Sequence, residues 1–172
     1  MRRIAAIIGS IIFFIIAPFT IAGVIPWSLS RWQVQSPEYA QPIVQAVGAS
    51  LATMGALMLI DSFARFALKG LGTPAPIFPP KHLVVSGLYR YVRNPMYVGV
   101  VAAIFGQALM FASTTLAIYG AFIWLAFHLF VSVYEEPTLR GTFGSEYEEF
   151  CKNVRRWIPR ITPWRGATTS SN

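Results

Sequence analysis

The sequence has few of the residues that build disulfides and metal centres. Cys151 is the single cysteine among 172 residues, so the chain can form no internal disulfide and no cysteine-built metal site. The two histidines, His82 and His128, are far apart in sequence, and we expect no metal centre from them. These scarcities exclude disulfide-stabilised folds and disfavour metal-dependent chemistry.

Charged residues are also scarce. Only 12% of the residues are charged and 55% are hydrophobic, with a mean hydropathy of +0.52. This composition is typical of an integral membrane protein rather than a soluble domain. The net charge of +7 comes from basic residues at the ends of apolar segments, where lipid headgroups account for them. We therefore expect membrane lipids as partners and no nucleic acid.

Four apolar runs predict four transmembrane helices over residues 4–25, 43–68, 96–111 and 116–134. The first run is too long for a typical signal peptide, and Pro18 is expected to kink it or break it locally. Small residues between positions 48 and 56 predict close helix packing. The third run is barely long enough to span. Because only residues 112–115 separate it from the fourth, we expect these two helices to form an antiparallel hairpin.

The distribution of basic residues predicts the orientation in an inner or plasma membrane. With both termini and the region from Arg65 to Met96 on one side, that side holds 13 of the 14 Lys and Arg residues. Only Arg31 lies opposite, so both termini are expected in the cytoplasm.

The prediction is an all-α single membrane domain with helices 1 and 2 (1–69), a cytoplasmic loop (70–95), the hairpin (96–134) and a cytoplasmic tail (135–166). Apolar spacing in the tail predicts an amphipathic helix ending at Pro159, on the membrane or over the loop.

The stretch PPKHLVVSGLYRYVRNPMYVG, residues 79–99, is the first candidate site. It combines cationic side chains, tyrosines and glycines: Lys81, His82, Arg90, Arg93, Tyr89, Tyr91, Tyr97, Gly87 and Gly99. Pro95 suits the first turn of a helix, and Asn94 suits its N-cap. A helix N-terminus that faces a polar loop can bind a carboxylate. Simple anchoring of a basic loop at the lipid headgroups is an equally good interpretation of the composition.

Glu135 and Glu136 are the second candidate site. They close the fourth apolar run, where the helix dipole disfavours acids, so we expect a compensating partner. That partner is either a loop arginine, Arg90 or Arg93, or a bound cation. Because a hairpin returns to the side that it left, the acid pair is expected beside Asn94 and the start of the third helix.

Other polar residues have simpler interpretations. Asp61 would be a functional candidate inside the membrane, but we expect it to pair with Arg65 one helical turn later. His128 is expected to hydrogen-bond between helices. Arg155 and Arg156 are interpreted as headgroup anchors, with closure of a pocket as the alternative.

Together, KHLVVSGLYRYVRNPMYVG, the apolar hairpin, the EE pair, FGSEYEEF and VRRWIPR resemble the isoprenylcysteine carboxyl methyltransferase and phospholipid methyltransferase superfamily. The resemblance covers about residues 79–160. It implies an enzyme that binds S-adenosylmethionine at the cytosolic helix ends and methylates a lipophilic acceptor. The cofactor contacts that it implies are Lys81, His82, Leu83, Val84, Gly87, Tyr89, Asn94, Pro95, Met96, Tyr97 and Glu135.

Three positions depart from the superfamily pattern. Lys81 and Asn94 stand where members carry histidine. Val131 stands where the isoprenylcysteine enzymes carry the arginine that holds the substrate carboxylate, so Arg90 or Arg93 is the candidate replacement.

The mechanism that the resemblance implies is in-line displacement at the activated methyl group, for which the protein supplies alignment and desolvation. Glu136 is the candidate general base if the acceptor is an amine. The acceptor is expected to enter from the bilayer along the small-residue side of the second helix, near Gly55 and Ala56. The alternatives are a phospholipid amine N-methyltransferase and, from another class, a non-enzymatic transporter or scaffold. The chain shows no internal repeat of the kind that transporters carry.

Overall fold

The computed structural model describes residues 15–69, 83 and 85–166, and this part of the chain is helical, without strands. Helix α1 comprises a π-helical segment, Ile15–Val24, and an α-helical segment, Ile25–Ser30. The remaining helices are α2 (Pro42–Lys69), α3 (Pro95–Met110), α4 (Thr114–Phe130, extended by the π-helical turn Val131–Glu135) and α5 (Glu136–Asn153), with short 3-10 helices at Pro37–Tyr39 and Gly87–Arg90. The predicted all-α class is confirmed.

Within the part of the chain that the structure describes, two helical segments are long and apolar enough to cross a membrane. They are Pro42–Arg65 and Thr114–Asn153, and the second of these is kinked at Gly144, which has a non-helical φ of 51°. Ile16–Ser30 and Pro95–Met110 are apolar but shorter. The apolar helices support membrane character, and the four-span topology stays a prediction.

The most extensive helix contact among the described residues is between α2 and α3. An added Cβ at Gly55 would lie 2.5 Å from the carbonyl oxygen of Gly99, and one at Gly48 would lie 2.6 Å from that of Gly106. The predicted close packing is therefore confirmed, because the two backbones approach where side chains are absent. Gly55 is buried under α3 whereas Ala56 is exposed, and entry of the acceptor along this helix stays a prediction.

Side chains of α3 and α4 complete the hydrogen bonding of α1. Pro26 has no N–H, so carbonyl groups one turn earlier lose their usual helical donor. Gln107 Nε2 donates to the oxygen of Ala22 at 2.7 Å, and the Tyr119 hydroxyl donates to that of Ile21 at 3.0 Å. These bonds hold α1 against the hairpin. Pro18 lies within the π-helical segment, so the irregularity predicted there is a wide helix rather than a break.

Residues 111–113 connect α3 to α4, which confirms the helical hairpin. Ser113 is the N-cap of α4, and its Oγ accepts a hydrogen bond from the backbone N–H of Leu116 at 3.2 Å. This cap satisfies one of the donors that the first turn leaves unpaired and sets the start of α4 two residues before the predicted position.

The fourth helix does not end at the acid pair, contrary to the prediction. The backbone widens at Val131–Glu135, where the N–H of Glu136 donates to the carbonyl oxygen of Val131, and it then continues as α5. Pro137 follows this wide turn directly, and because it has no N–H, the helical ladder lacks one bond there. Glu135 and Glu136 therefore lie inside a continuous helix, and the helix dipole does not oppose them as expected.

After α5 the chain pairs with the loop that precedes α3. The N–H of Arg93 donates to the carbonyl oxygen of Arg155 at 3.0 Å, and the N–H of Arg160 donates to that of Tyr91 at 2.8 Å. The tail helix ends at Asn153 rather than at Pro159, because these backbone bonds take the place of further helical turns.

A small apolar core joins the tail helix to the loop. Tyr147, Phe150 and Val154 are buried there, each at most 3% exposed. Partly buried residues pack around them: Leu83, Val85, Leu139, Phe143, Cys151 and Trp164. The amphipathic helix thus covers the loop, one of the two positions expected for it.

Candidate functional site

Glu135 lies beside the first turn of α3. Its Oε2 accepts a hydrogen bond from the Tyr97 hydroxyl at 2.9 Å. The Tyr97 ring in turn packs on Phe127 of α4, with 4.6 Å between the ring centroids. The predicted meeting of the acid pair with the start of the third helix is therefore present, and it is made by one phenol and one carboxylate.

The start of α3 supplies backbone donors at the same place. Pro95 occupies the first turn, and the first helical bond runs from the N–H of Val98 to the carbonyl oxygen of Asn94. The N–H groups of Met96 and Tyr97 therefore precede the helical ladder, at the positive end of the helix. Such a turn favours an anionic group.

Asn94 does not cap α3 with its side chain, contrary to the prediction. Its Nδ2 instead donates to the carbonyl oxygen of Arg156 at 3.3 Å. The residue is buried, at 9% exposure, and this contact ties the start of α3 to the tail.

Tyr89 lies close enough to Glu135 and Asp61 to experience their charges. Burial raises the pKa of Tyr89 above the usual range of a phenol, and the negative charges of Glu135 and Asp61 raise it further. The phenol therefore stays protonated at neutral pH. Gly87, with φ of 57°, adopts the left-handed conformation that begins this turn, which favours glycine.

Glu136 has different partners from its neighbour Glu135. Arg156 binds both of its oxygens, with Nε to Oε1 at 2.7 Å and Nη2 to Oε2 at 2.8 Å. Arg93 Nη1 lies 3.1 Å from Oε1, and Arg156 Nη1 also donates to Ser132 Oγ at 3.0 Å. Hydrogen bonding to Glu136 raises the pKa of Arg156, so the guanidinium stays charged. A bidentate, charge-assisted pair of this kind fixes the segment that follows α5, which contains Arg156, against the start of α5, which contains Glu136.

The partners of the acid pair were predicted in part. Arg93 contacts Glu136 as expected, whereas Arg90 Nε donates to the carbonyl oxygen of Trp164 at 2.6 Å. Arg156 was interpreted as a headgroup anchor, and that interpretation is wrong. Two sequence features could have identified Arg156 as a partner of Glu136. Two adjacent acids need more than one cation, and Arg155 and Arg156 follow the tail helix directly.

Asp61 pairs with Arg65, as predicted. Arg65 Nε and Nη2 donate to the two Asp61 oxygens, each at 2.7 Å. The pair lies at the end of the candidate span Pro42–Arg65. His128 is hydrogen-bonded as expected, although to the tail: its Nδ1 accepts from Trp157 Nε1 at 3.2 Å.

The structure places the other predicted contact residues as follows. Lys81, His82 and Val84 lie outside the described residues. Leu83 packs in the core between tail and loop, and Met96 packs against the core of Leu59, Phe63, Val100 and Ile104. Val131 is fully buried, so this position offers no group to a ligand.

Fold and site together define a helical membrane protein with a polar site where α4 passes the start of α3. The site combines the Glu135 carboxylate, the Tyr97 phenol that donates to it, the nearby buried phenol of Tyr89 and the N-terminal turn of α3. A carboxylate attracts a cation and a helix start attracts an anion, so the arrangement suits a small ligand that carries both.

Comparison with known proteins identifies the family. The sequence profile of the phospholipid methyltransferase family matches residues 43–146, which include α2, α3, α4 and the Glu135–Tyr97 contact. The chain belongs to the phospholipid methyltransferase family.

Curated relatives carry methyltransferase names. A protein-S-isoprenylcysteine O-methyltransferase of Schizosaccharomyces pombe is 37% identical over 82 residues, covering 46% of this chain and 34% of the relative. Methanethiol S-methyltransferase 1 of Bradyrhizobium diazoefficiens is 28% identical over 142 residues, covering 78% and 46%. A probable protein-S-isoprenylcysteine O-methyltransferase of Oryza sativa subsp. indica is 32% identical over 80 residues, covering 46% and 41%. The chain spans less than half the length of each of these relatives.

Proposed function

We propose that this protein is an integral membrane methyltransferase that uses S-adenosylmethionine and acts on a lipophilic acceptor at the cytoplasmic face. The observation that carries the proposal is the 2.9 Å contact between Glu135 and Tyr97, which lies inside the region matched by the family profile. The proposal includes four spans with both termini in the cytoplasm. Its support is the positive-inside distribution, in which 13 of 14 basic residues share one side.

The residues at this site suit the proposed cofactor. Glu135 is a counter-charge for an ammonium or sulfonium group, and the first-turn N–H groups of α3 suit a carboxylate. When bound, S-adenosylmethionine supplies a methyl group that is already attached to a good leaving group. The chain therefore has to bind, orient and exclude water, and Tyr97 holds the Glu135 carboxylate in place for this. Contacts from Lys81, His82, Leu83 and Val84 stay predictions.

For Glu136 we propose a positioning role in place of the predicted general base. Both of its oxygens already accept hydrogen bonds from Arg156, and Arg93 contacts one of them. The Glu136 side chain therefore holds the segment after α5 against the start of that helix, beside Glu135. The prediction that Arg90 or Arg93 binds an acceptor carboxylate stays open.

A methyl-transfer assay tests the proposed function and identifies the acceptor. The relatives and the family name suggest three acceptor atoms, namely a prenylcysteine carboxylate oxygen, a thiol sulfur and a phospholipid amine. We would supply purified protein in nanodiscs with methyl-labelled S-adenosylmethionine and, in separate arms, a farnesylated cysteine, methanethiol or a total lipid extract. Label in one acceptor product supports the proposal. No transfer in any arm, with no cofactor binding in detergent or nanodiscs, would favour a non-enzymatic transporter or scaffold.

A further inference from the structure

Arg65, at the end of the candidate span Pro42–Arg65, contacts the turn Gly87–Arg90. Its guanidinium occupies the space where a side chain on Gly87 would begin, because a Cβ built there would overlap Cζ and Nε of Arg65. The same Cβ would lie 2.6 Å from Nη1. The absence of a side chain at position 87 therefore allows a planar group of α2 to lie directly on the backbone of the turn.

Asp61 holds the guanidinium in this position. Its two carboxylate oxygens accept hydrogen bonds from Nε and Nη2 of Arg65, each at 2.7 Å. Two parallel bonds between planar groups restrain the orientation of the guanidinium as well as its distance. The two side chains are 33% and 36% exposed, so we expect the pair to contribute little to the stability of the whole protein. Its effect is local to the turn.

The other end of the turn is attached to the tail. The N–H of Trp164 donates to the carbonyl oxygen of Arg90 at 2.9 Å, and Arg90 Nε donates to the carbonyl oxygen of Trp164 at 2.6 Å. The turn is therefore attached to α2 at Gly87 and to the tail at Arg90. Tyr89 lies between these two attachments.

We propose that Arg65 is a positioning residue, which holds the turn Gly87–Arg90 and thereby keeps Tyr89 in the proposed cofactor site. This role rests on the proposed function, because Tyr89 and Glu135 belong to that site. Tyr89 lies close enough to Glu135 and Asp61 to experience both charges, so the pair on α2 and the site are neighbours across the turn. Arg65 acts through the turn and restricts its conformations before the cofactor binds, which lowers the entropic cost of binding.

Hydrogen–deuterium exchange of the full-length protein in nanodiscs, without cofactor, tests this role. The N–H groups of Tyr89 and Tyr91 donate to the carbonyl oxygens of Ser86 and Leu88, so their exchange reports opening of the turn. We expect exchange about tenfold faster in Arg65→Gln, because the turn loses its attachment to α2.

Arg65→Lys separates positioning from simple pairing of charges. Lysine still neutralises Asp61 but lacks the planar group that lies on Gly87. We therefore expect the same faster exchange in Arg65→Lys, whereas Arg140→Gln, which removes an exposed charge on α5, should leave exchange unchanged. Isothermal titration should show S-adenosylmethionine binding about fivefold weaker in both Arg65 variants, at a nearly unchanged Tm.

Wild-type exchange in Arg65→Lys would overturn the proposal, because charge pairing would then be sufficient. If Arg65→Gln fails to fold, Arg65→Lys alone decides. Faster exchange spread evenly over α2, α3 and the turn, with a lower Tm, would also overturn it, since Arg65 would then support the whole fold. Faster exchange with unchanged cofactor affinity would exclude a role in the site.

Failure of the proposed function gives a different result. A wild type that binds no S-adenosylmethionine would refute the proposed function, while exchange in the cofactor-free protein would still decide whether Arg65 holds the turn.

Discussion

Adjacent acids in this chain have separate partners and, in our proposal, separate roles. Glu135 accepts a single hydrogen bond from Tyr97, while Glu136 accepts two from Arg156 and contacts Arg93. The difference arises because consecutive helical residues point about 100° apart, so one side chain faces α3 and the other faces the tail. Glu135 keeps acceptor capacity for a ligand, whereas Glu136 serves as a structural anchor.

Replacing Glu136 should destabilise the protein. Glu136→Gln leaves the guanidinium groups of Arg93 and Arg156 without their carboxylate, which we expect to cost about 3 kcal/mol. For a chain of this size that corresponds to a fall in Tm of roughly 6–12 °C. Thermal unfolding in detergent measures it.

The matched control for this prediction is Glu148→Gln, which neutralises an exposed acid on α5. Its Tm should stay close to that of wild type, since exposed charges contribute little. Equal Tm values for Glu136→Gln and Glu148→Gln would show that the buried ion pair contributes nothing to stability.

Local sequence rules predicted some of these residue contacts and missed others. The pairing of Asp61 with Arg65 follows from i,i+4 spacing on one helix and was predicted. The contact between Arg156 and Glu136 joins residues 20 positions apart across the end of a helix, so no periodicity reveals it. Asparagine is a typical N-cap residue, but the Asn94 amide donates to the carbonyl oxygen of Arg156 instead. This contact depends on the tertiary structure, which the local sequence does not reveal.

At the scale of helices, the contact between α2 and α3 depends on the absence of side chains. A Cβ added at Gly106 would meet the backbone of Ala52 and, at 2.7 Å, the carbonyl oxygen of Gly48. Backbone atoms cannot rotate away as side chains can, so the helices would have to separate.

Gly106→Val is therefore expected to separate α2 from α3 and to lower stability by several kcal/mol, with loss of monodisperse protein in size-exclusion chromatography. Gly141→Ala is the control, because nothing lies within 4 Å of the added Cβ and alanine favours a helix by roughly 0.5–1 kcal/mol. A normal elution profile and Tm for Gly106→Val would contradict the close packing.

Apolar periodicity predicted which helices exist better than it predicted where they end. The predicted third run covers residues 96–111, and the observed α3 covers Pro95–Met110. Both boundaries lie one residue earlier than predicted, because proline marks the start and the short hairpin connection marks the end. The continuity of α4 into α5 was missed, since an acid pair followed by proline usually indicates a helix end. The wide turn at Val131–Glu135 accommodates Pro137, and this adjustment is visible only in the backbone geometry.

For the whole molecule, the proposed topology places the turn after α1 opposite the tail. We expect a cysteine at Gln33 to react with a membrane-impermeant maleimide from outside intact cells, and one at Ser145 to react only after permeabilisation. Both positions are exposed, and Cys151→Ser provides the background. Labelling of both positions from the same side would exclude the four-span arrangement.

The central claim is that Glu135, beside the start of α3, is the counter-charge for S-adenosylmethionine. Isothermal titration of the cofactor into wild type, Glu135→Gln and the exposed-acid control Glu146→Gln tests it most directly. The account predicts binding to wild type and control, and binding weaker by about 1–3 kcal/mol, or roughly 5- to 150-fold in Kd, for Glu135→Gln. Equal affinity in all three proteins would contradict it.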